Sequence, residues 1–186
     1  MNLIAERSIL PAVNRVKDFE KLIHSTAQTI IVLDSHISQI SSLIQMGKRK
    51  KKHIFLHADL IQGLKSDASG AEFICQNIRP AGIISTRSSV LEIAKKRGYV
   101  TVLRIFLLDS RSVETGYHLM EQINPDMVEV LPGLVPGMIR AIREKFGKPV
   151  IAGGLIRTHE EVEQAFHSGA SAISTSNQSL WPFFNG

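Results

Sequence analysis

The chain has 186 residues, 44% of them apolar, a single cysteine and a formal net charge of +5. That length supports one sizeable core, so a single domain over 1–186 is expected, and the lone Cys75 excludes an internal disulfide and fits a reducing compartment. No stretch approaches the roughly 18 apolar residues of a membrane span, and the opening segment MNLIAERSIL has charges among its apolar residues and does not read as a signal peptide, so a cytoplasmic protein without membrane partners is expected.

Short apolar or β-branched runs begin near Ser8, Thr29, His53, Gly82, Thr101, Met127, Val150 and Ala172, and a stretch with helical spacing follows each. After the second run, Ile37, Ile40, Leu43 and Ile44 share one helical face, and that helix ends in Lys48, Arg49, Lys50, Lys51 and Lys52. These five charges equal the whole net charge of +5, so the rest of the chain is balanced and the positive field is a local patch. Cys75 sits among Phe73, Ile74 and Ile78 and reads as core packing. Gly98, Gly147 and Gly169 each lie just before a strand, where a helix would end in a left-handed residue. Val135, Met138, Ile139, Ile142 and Phe146 form the apolar face of a sixth helix, and Thr158 and Glu161 have capping-box spacing at the start of a seventh. The last helix, near Gln178 to Phe184, is stunted and contains Pro182. Eight uninterrupted βα units favour a compact (β/α)8 TIM-type barrel with short loops, with a doubly wound open sheet as the alternative.

Such barrels bind ligands at the C-terminal ends of their strands and often hold phosphate in the loops after strands seven and eight. Here those loops contain Gly153, Gly154 and Leu155, and Ser174, Thr175 and Ser176. Glycine lets backbone N–H groups approach an oxyanion, and the Ser/Thr run can donate at the start of the short last helix. Either half alone is also explained as a tight turn or a helix cap; together, at these two strand ends, they point to a phosphate site. Arg157 lies one turn farther on and either adds charge or is a solvated helix-start residue.

Asp34, His57 and Asp59 fall at the ends of strands two and three, and Arg104 and Glu129 lie within strands five and six. Charges inside barrel strands are costly unless paired or facing a polar cavity. Arg104 and Glu129 therefore read either as a structural ion pair or, with Asp34, His57 and Asp59, as the polar contacts of a small polyol phosphate. No lysine occupies a strand end where a Schiff base would form, and the carboxylates and His57 lack a compact metal-ligand spacing, so no metal and no catalytic residue is assigned. The residues themselves leave a ligand sensor and a phosphosugar isomerase- or lyase-type enzyme comparable. Thr86-Arg87-Ser88-Ser89 after strand four reads equally as a second anion site or as a cap with an exposed arginine.

Several segments taken together resemble a known family. They are His57 to Gly63, Glu72 to Gln76, Arg79 to Ser89, Phe106 to Ser110, Glu129 to Gly133, Ala152 to Gly154, Arg157-Thr158 and Thr175 to Asn177. In combination the sequence is similar to the glycerol-3-phosphate-responsive antiterminators of bacterial glycerol-uptake operons, over about Ser8 to Trp181. The resemblance implies a regulator rather than an enzyme, with glycerol 3-phosphate as effector, no cofactor, and leader mRNA as partner. It carries over no RNA-contact residue. The run Lys48 to Lys52 is one candidate for RNA contact, since phosphate neutralisation supplies sequence-independent affinity; its other explanation is a solvated helix end whose cations complement the dipole. Topology puts that run at the bottom of a barrel, opposite the ligand site, so the ligand would act across the barrel or through a homo-oligomer interface. Arg87 and Arg157, on the upper rim, are the alternative RNA surface. Aromatic content is only 6% and no RNA-recognition motif is visible, so RNA binding rests on the resemblance.

Overall fold

A computed structural model describes residues 3–184. Eight strands form in chain order: β1 (Ser8–Val13), β2 (Thr29–Val32), β3 (His53–His57), β4 (Gly82–Ser85), β5 (Val100–Phe106), β6 (Met127–Leu131), β7 (Val150–Gly153) and β8 (Ala172–Thr175). Each pairs in parallel with its sequence neighbours, and β8 pairs with β1 to close the barrel. The open-sheet alternative is thereby excluded. The expected strand starts coincide with the observed ones except for β5, which begins one residue earlier, at Val100.

Helices α1 (Val16–Leu22), α2 (Ile37–Arg49), α3 (Ala68–Phe73), α4 (Ser88–Lys96), α5 (Ser110–Ile123), α6 (Pro136–Phe146) and α7 (His159–His167) alternate with the strands. Their starts and stops follow local chemistry. Thr158 and Glu161 form the capping box of α7, and Asp109 and Ser112 form another on α5. Gly98, Gly147 and Gly169 take positive φ beyond the helix ends, as their spacing predicts. Two features were not legible in the sequence. A π-helical turn, Ile74–Ile78, continues α3 and ends at Arg79 in a left-handed conformation. A two-residue parallel ladder joins Ser35–His36 to Ile61–Gln62 beyond β2 and β3.

Strand residues bury both faces, as a barrel wrapped by helices requires. Outward residues such as Ile54, Leu56, Ile83 and Val128 pack under the helices, and inward residues such as Ile31, Phe55, Ile84, Val102 and Ile151 fill the interior. Phe55 sets the space available across the barrel wall. A Cβ on Gly82, its partner in the β3–β4 register, would stand 2.7 Å from the Phe55 ring. Towards the C-terminal ends the inward positions become polar, with His57, Arg104, Glu129 and Ser174 all buried. No helix among the described residues is long and apolar enough to cross a membrane.

The clash at Gly82 has no counterpart at Gly137, where a Cβ in α6 meets nothing within 4 Å. Gly82→Ala should therefore destabilise the fold by about 1–3 kcal/mol through overpacking. Gly137→Ala should be neutral or stabilising by up to about 1 kcal/mol, because alanine favours a helix over glycine. Urea unfolding of the two variants distinguishes these outcomes.

Candidate functional site

At the C-terminal ends of the strands a cleft of about 470 Å³ opens between the loops after β7 and β8. One wall is Gly154 to Arg157, the other is Ser174 to Asn177, and Arg104 and Glu129 face it from β5 and β6. Five of the expected phosphate-loop residues, Gly154, Leu155, Ser174, Thr175 and Ser176, thus line one cavity together with Arg157. The sixth, Gly153, lies behind it. A Cβ there would overlap the Ser174 hydroxyl and come within 3.1 Å of the Glu129 carboxylate, so Gly153 is the space through which those two side chains meet.

The loop after β7 adopts consecutive left-handed residues, Gly154 at φ +71° and Leu155 at φ +64°. For leucine this conformation costs roughly 1–2 kcal/mol, and its side chain is left largely in solvent. The turn is held from beneath, where Gly133 N–H donates to the Gly153 carbonyl at 2.6 Å. A Cβ on Gly133 would stand 2.9 Å from the Gly153 nitrogen, so the backbones touch here. The amide groups of Gly154, Leu155 and Ser176 donate to no group among the described residues, leaving three donors around the cleft for an oxyanion.

The opposite wall is fixed by side chains. Asn177 N–H donates to Thr175 Oγ1 at 3.1 Å, the Asn177 side-chain amide donates to the Arg157 carbonyl at 3.3 Å, and Trp181 Nε1 donates to the Thr175 carbonyl at 2.9 Å. Asn177 therefore ties the two loops together. Its signal in the sequence is slight: an Asx-type turn residue after Ser174-Thr175-Ser176. Gly133 was likewise visible only as a segment residue, with no hint of its contact.

Beneath these loops lies a buried charge network. Arg104 Nε donates to Glu129 Oε2 at 2.7 Å, and Ser174 Oγ donates to Glu129 Oε1 at 2.5 Å. Glu129 is fully buried and Arg104 is 9% exposed. The ion pair between adjacent strands expected from the sequence is present, and it also faces the cleft. His57 is 3% exposed with Nδ1 unpartnered. Desolvation, then the positive Arg104, drives its pKa down to about 4 against the opposing pull of Asp59 and Glu129. The imidazole is neutral at neutral pH.

The other expected contacts lie elsewhere. Asp59 accepts hydrogen bonds from Ser85 Oγ, Thr86 N–H and Thr86 Oγ1 at 2.5 to 2.8 Å and so fixes the loop after β4. Asp34 accepts from Gln62 Nε2 at 3.1 Å and borders a separate cleft of about 180 Å³ with Arg15, His36 and Gln39. Arg87 is exposed at the start of α4, and Arg157 is exposed at the cleft rim. Among the described residues no cluster of three or more His, Cys, Asp or Glu side chains has metal-binding geometry.

The depressed His57 pKa makes stability pH-dependent. The unfolded residue takes up a proton near pH 6.5, the folded one only near 4, so acidification through that window favours the unfolded chain by up to about 3 kcal/mol. In urea titrations from pH 7 to 4, His57→Gln should flatten this loss; an unchanged profile would place the acid sensitivity elsewhere.

Comparison with known proteins adds the following. The sequence profile of the family described as glycerol-3-phosphate responsive antiterminator matches residues 9–181. The uncharacterized protein YgcP of Escherichia coli K12 is 33% identical over 97% of this chain and 95% of its own length. The crystal structure of the glycerol uptake operon antiterminator regulatory protein from Listeria monocytogenes superposes with a TM-score of 0.92 at 39% identity, covering 94% of this chain and 95% of that one. A glycerol uptake operon antiterminator-related protein from Thermotoga maritima does so with a TM-score of 0.83 at 32% identity, covering 95% and 99%. An aldolase at 14% identity and a TM-score of 0.72 shares the barrel fold.

Proposed function

We propose, from the premise that this chain belongs to the glycerol-3-phosphate responsive antiterminator family, that its cleft senses glycerol 3-phosphate and that occupancy alters its affinity for a leader mRNA. One observation carries the sensing half: the strained Gly154-Leu155 turn and the Ser174–Asn177 wall face each other across a cavity floored by the buried Arg104–Glu129 pair. Free backbone donors suit the phosphate, with Ser176 and Arg157 adding a hydroxyl and a charge. Arg104 and Glu129 suit the glycerol hydroxyls, because a carboxylate already accepting two hydrogen bonds retains lone pairs for more. Asp34 borders a separate cleft, Asp59 is engaged by Ser85 and Thr86, and His57 is buried beside Arg104 and Glu129, so their part is to hold the surroundings of the site.

Binding without chemistry is the reading the side chains favour over an isomerase or lyase. No lysine lines the cleft. Both Glu129 oxygens are engaged by Arg104 and Ser174, which orients the carboxylate as an acceptor and opposes its use as a base. The matched regulators support the same conclusion, and no cofactor is required.

Ser176→Ala and Arg157→Ala remove exposed groups, so each should leave folding intact and weaken glycerol 3-phosphate binding about 5- to 10-fold, the loss of one hydrogen bond or a partly screened charge. The test of the regulatory half is leader RNA affinity at fixed moderate salt with and without glycerol 3-phosphate. A difference supports the switch. Equal affinities contradict it, as would turnover of a triose or polyol phosphate that is lost in Glu129→Gln.

A further inference from the structure

The end of the barrel opposite the cleft carries a third cavity, of about 380 Å³, whose chemistry the sensing site does not use. It lies where the end of α2, the π-turn after α3 and the start of β5 come together. Lys48, Lys52, Arg79, His53 and Tyr99 line it, and no carboxylate does. Like charges converging on one cavity repel one another, so the arrangement is favourable when an anion fills it.

Three of these groups, Lys52, Arg79 and Tyr99, are held in place by hydrogen bonds to backbone carbonyls. Lys51 at φ +57° reverses the chain after α2, and Lys52 is then anchored by donating to the Ser25 carbonyl at 2.6 Å. Arg79 also sits at φ +57°, where the π-turn closes with Arg79 N–H on the Ile74 carbonyl. Its Nε donates to the Gln76 carbonyl at 2.7 Å, which leaves the terminal guanidinium nitrogens for a ligand. Tyr99 is fixed by donating its hydroxyl to the Cys75 carbonyl at 2.5 Å, and His53 Nδ1 is buried without a partner. Arg49, Lys50 and Lys51, adjoining in the chain, are exposed. The nearby carboxylate of Glu72 is already paired with Arg97 at 2.9 Å. A helix dipole is complemented by one or two cations in its last turn. Five in succession, joined by an arginine in a strained conformation from a different element, exceed that need.

Resting on the antiterminator reading, we propose that this N-terminal face of the barrel is the RNA-binding surface: the cavity between Lys48, Lys52 and Arg79 seats one backbone phosphate, the fixed Tyr99 ring lies beside the adjoining nucleotide, and Arg49 to Lys51 follow the strand outward. Sensing and RNA contact then occupy opposite ends, joined by β3, which carries His57 under the cleft and His53 at the cavity. Any effect of the ligand on RNA implies an equal effect of RNA on ligand affinity.

The test is fluorescence anisotropy of a labelled single-stranded RNA of mixed sequence, titrated over a range of salt. It compares the full chain with Lys48→Ser/Arg79→Gly and Lys50→Ser/Lys51→Ser; glycine suits the left-handed position of Arg79. Each double variant should bind at least about 10-fold more weakly at moderate salt, and the slope of log affinity against log salt should fall by about 0.7 per lost phosphate contact. Calorimetric binding of glycerol 3-phosphate should be unchanged in both. Unchanged slopes, with a fall instead in Arg87→Ser/Arg157→Ser, would overturn the assignment and move RNA to the upper rim. Absence of RNA binding by the unsubstituted chain that still binds glycerol 3-phosphate would overturn it too, while leaving ligand sensing intact. Reduced slopes in a chain that does not bind glycerol 3-phosphate would uphold the RNA surface and reject the sensor.

Discussion

The site depends on one buried interaction, the carboxylate of Glu129 held between Arg104 and Ser174. Glu129 is on β6, Arg104 on β5 and Ser174 on β8, so the network crosses the barrel interior where β7 contributes only the backbone of Gly153. Removing water from two charges costs several kcal/mol per ion, and this is offset only when geometry and further hydrogen bonds are good. Here both carboxylate oxygens are engaged and the guanidinium retains exposure toward the cleft. The pair fixes the orientation of the strand ends from which the ligand loops depart. Its field has a further consequence: the positive Arg104 helps keep His57 neutral.

The loops above inherit their shape from this base. Gly133 touches the β7 backbone, the Gly154-Leu155 turn is left-handed throughout, and Asn177 links one loop to the other. Each contact spends conformational freedom or strain to fix the residues that line the cleft, the usual sign of a site organised before its ligand arrives. At the opposite end, cations gather around a cavity without a carboxylate. The two ends have complementary roles in the proposed switch: one reads a small phosphate ester, the other a polymer of phosphates.

How far the sequence revealed this depends on the range of the interaction. The barrel was legible because its signals are local: apolar runs such as Ile83-Ile84, the Thr158–Glu161 box, and glycines at helix ends. The phosphate loops were legible because barrel topology reserves two strand ends for them. Arg104 and Glu129 could be paired because adjacent parallel strands carry them in register. Contacts set by tertiary geometry were not readable. Asp59 had the composition of a ligand contact, yet its carboxylate is engaged by Ser85 and Thr86 from the next strand end. Asp34 has its own cleft, and Arg79, at the end of a π-turn that no periodicity foretells, joins Lys48 and Lys52 only in the folded chain.

Recognition of a phosphate and a diol within one cleft is most directly tested by calorimetry of the full chain with glycerol 3-phosphate, glycerol and inorganic phosphate in turn. The two-part cleft predicts that glycerol 3-phosphate binds at least about 10-fold more tightly than phosphate, a gain worth about 1.4 kcal/mol from the hydroxyl contacts, and that glycerol alone binds weakly. Equal affinity for phosphate and glycerol 3-phosphate would contradict it, since the Arg104–Glu129 half of the cleft would then contribute nothing.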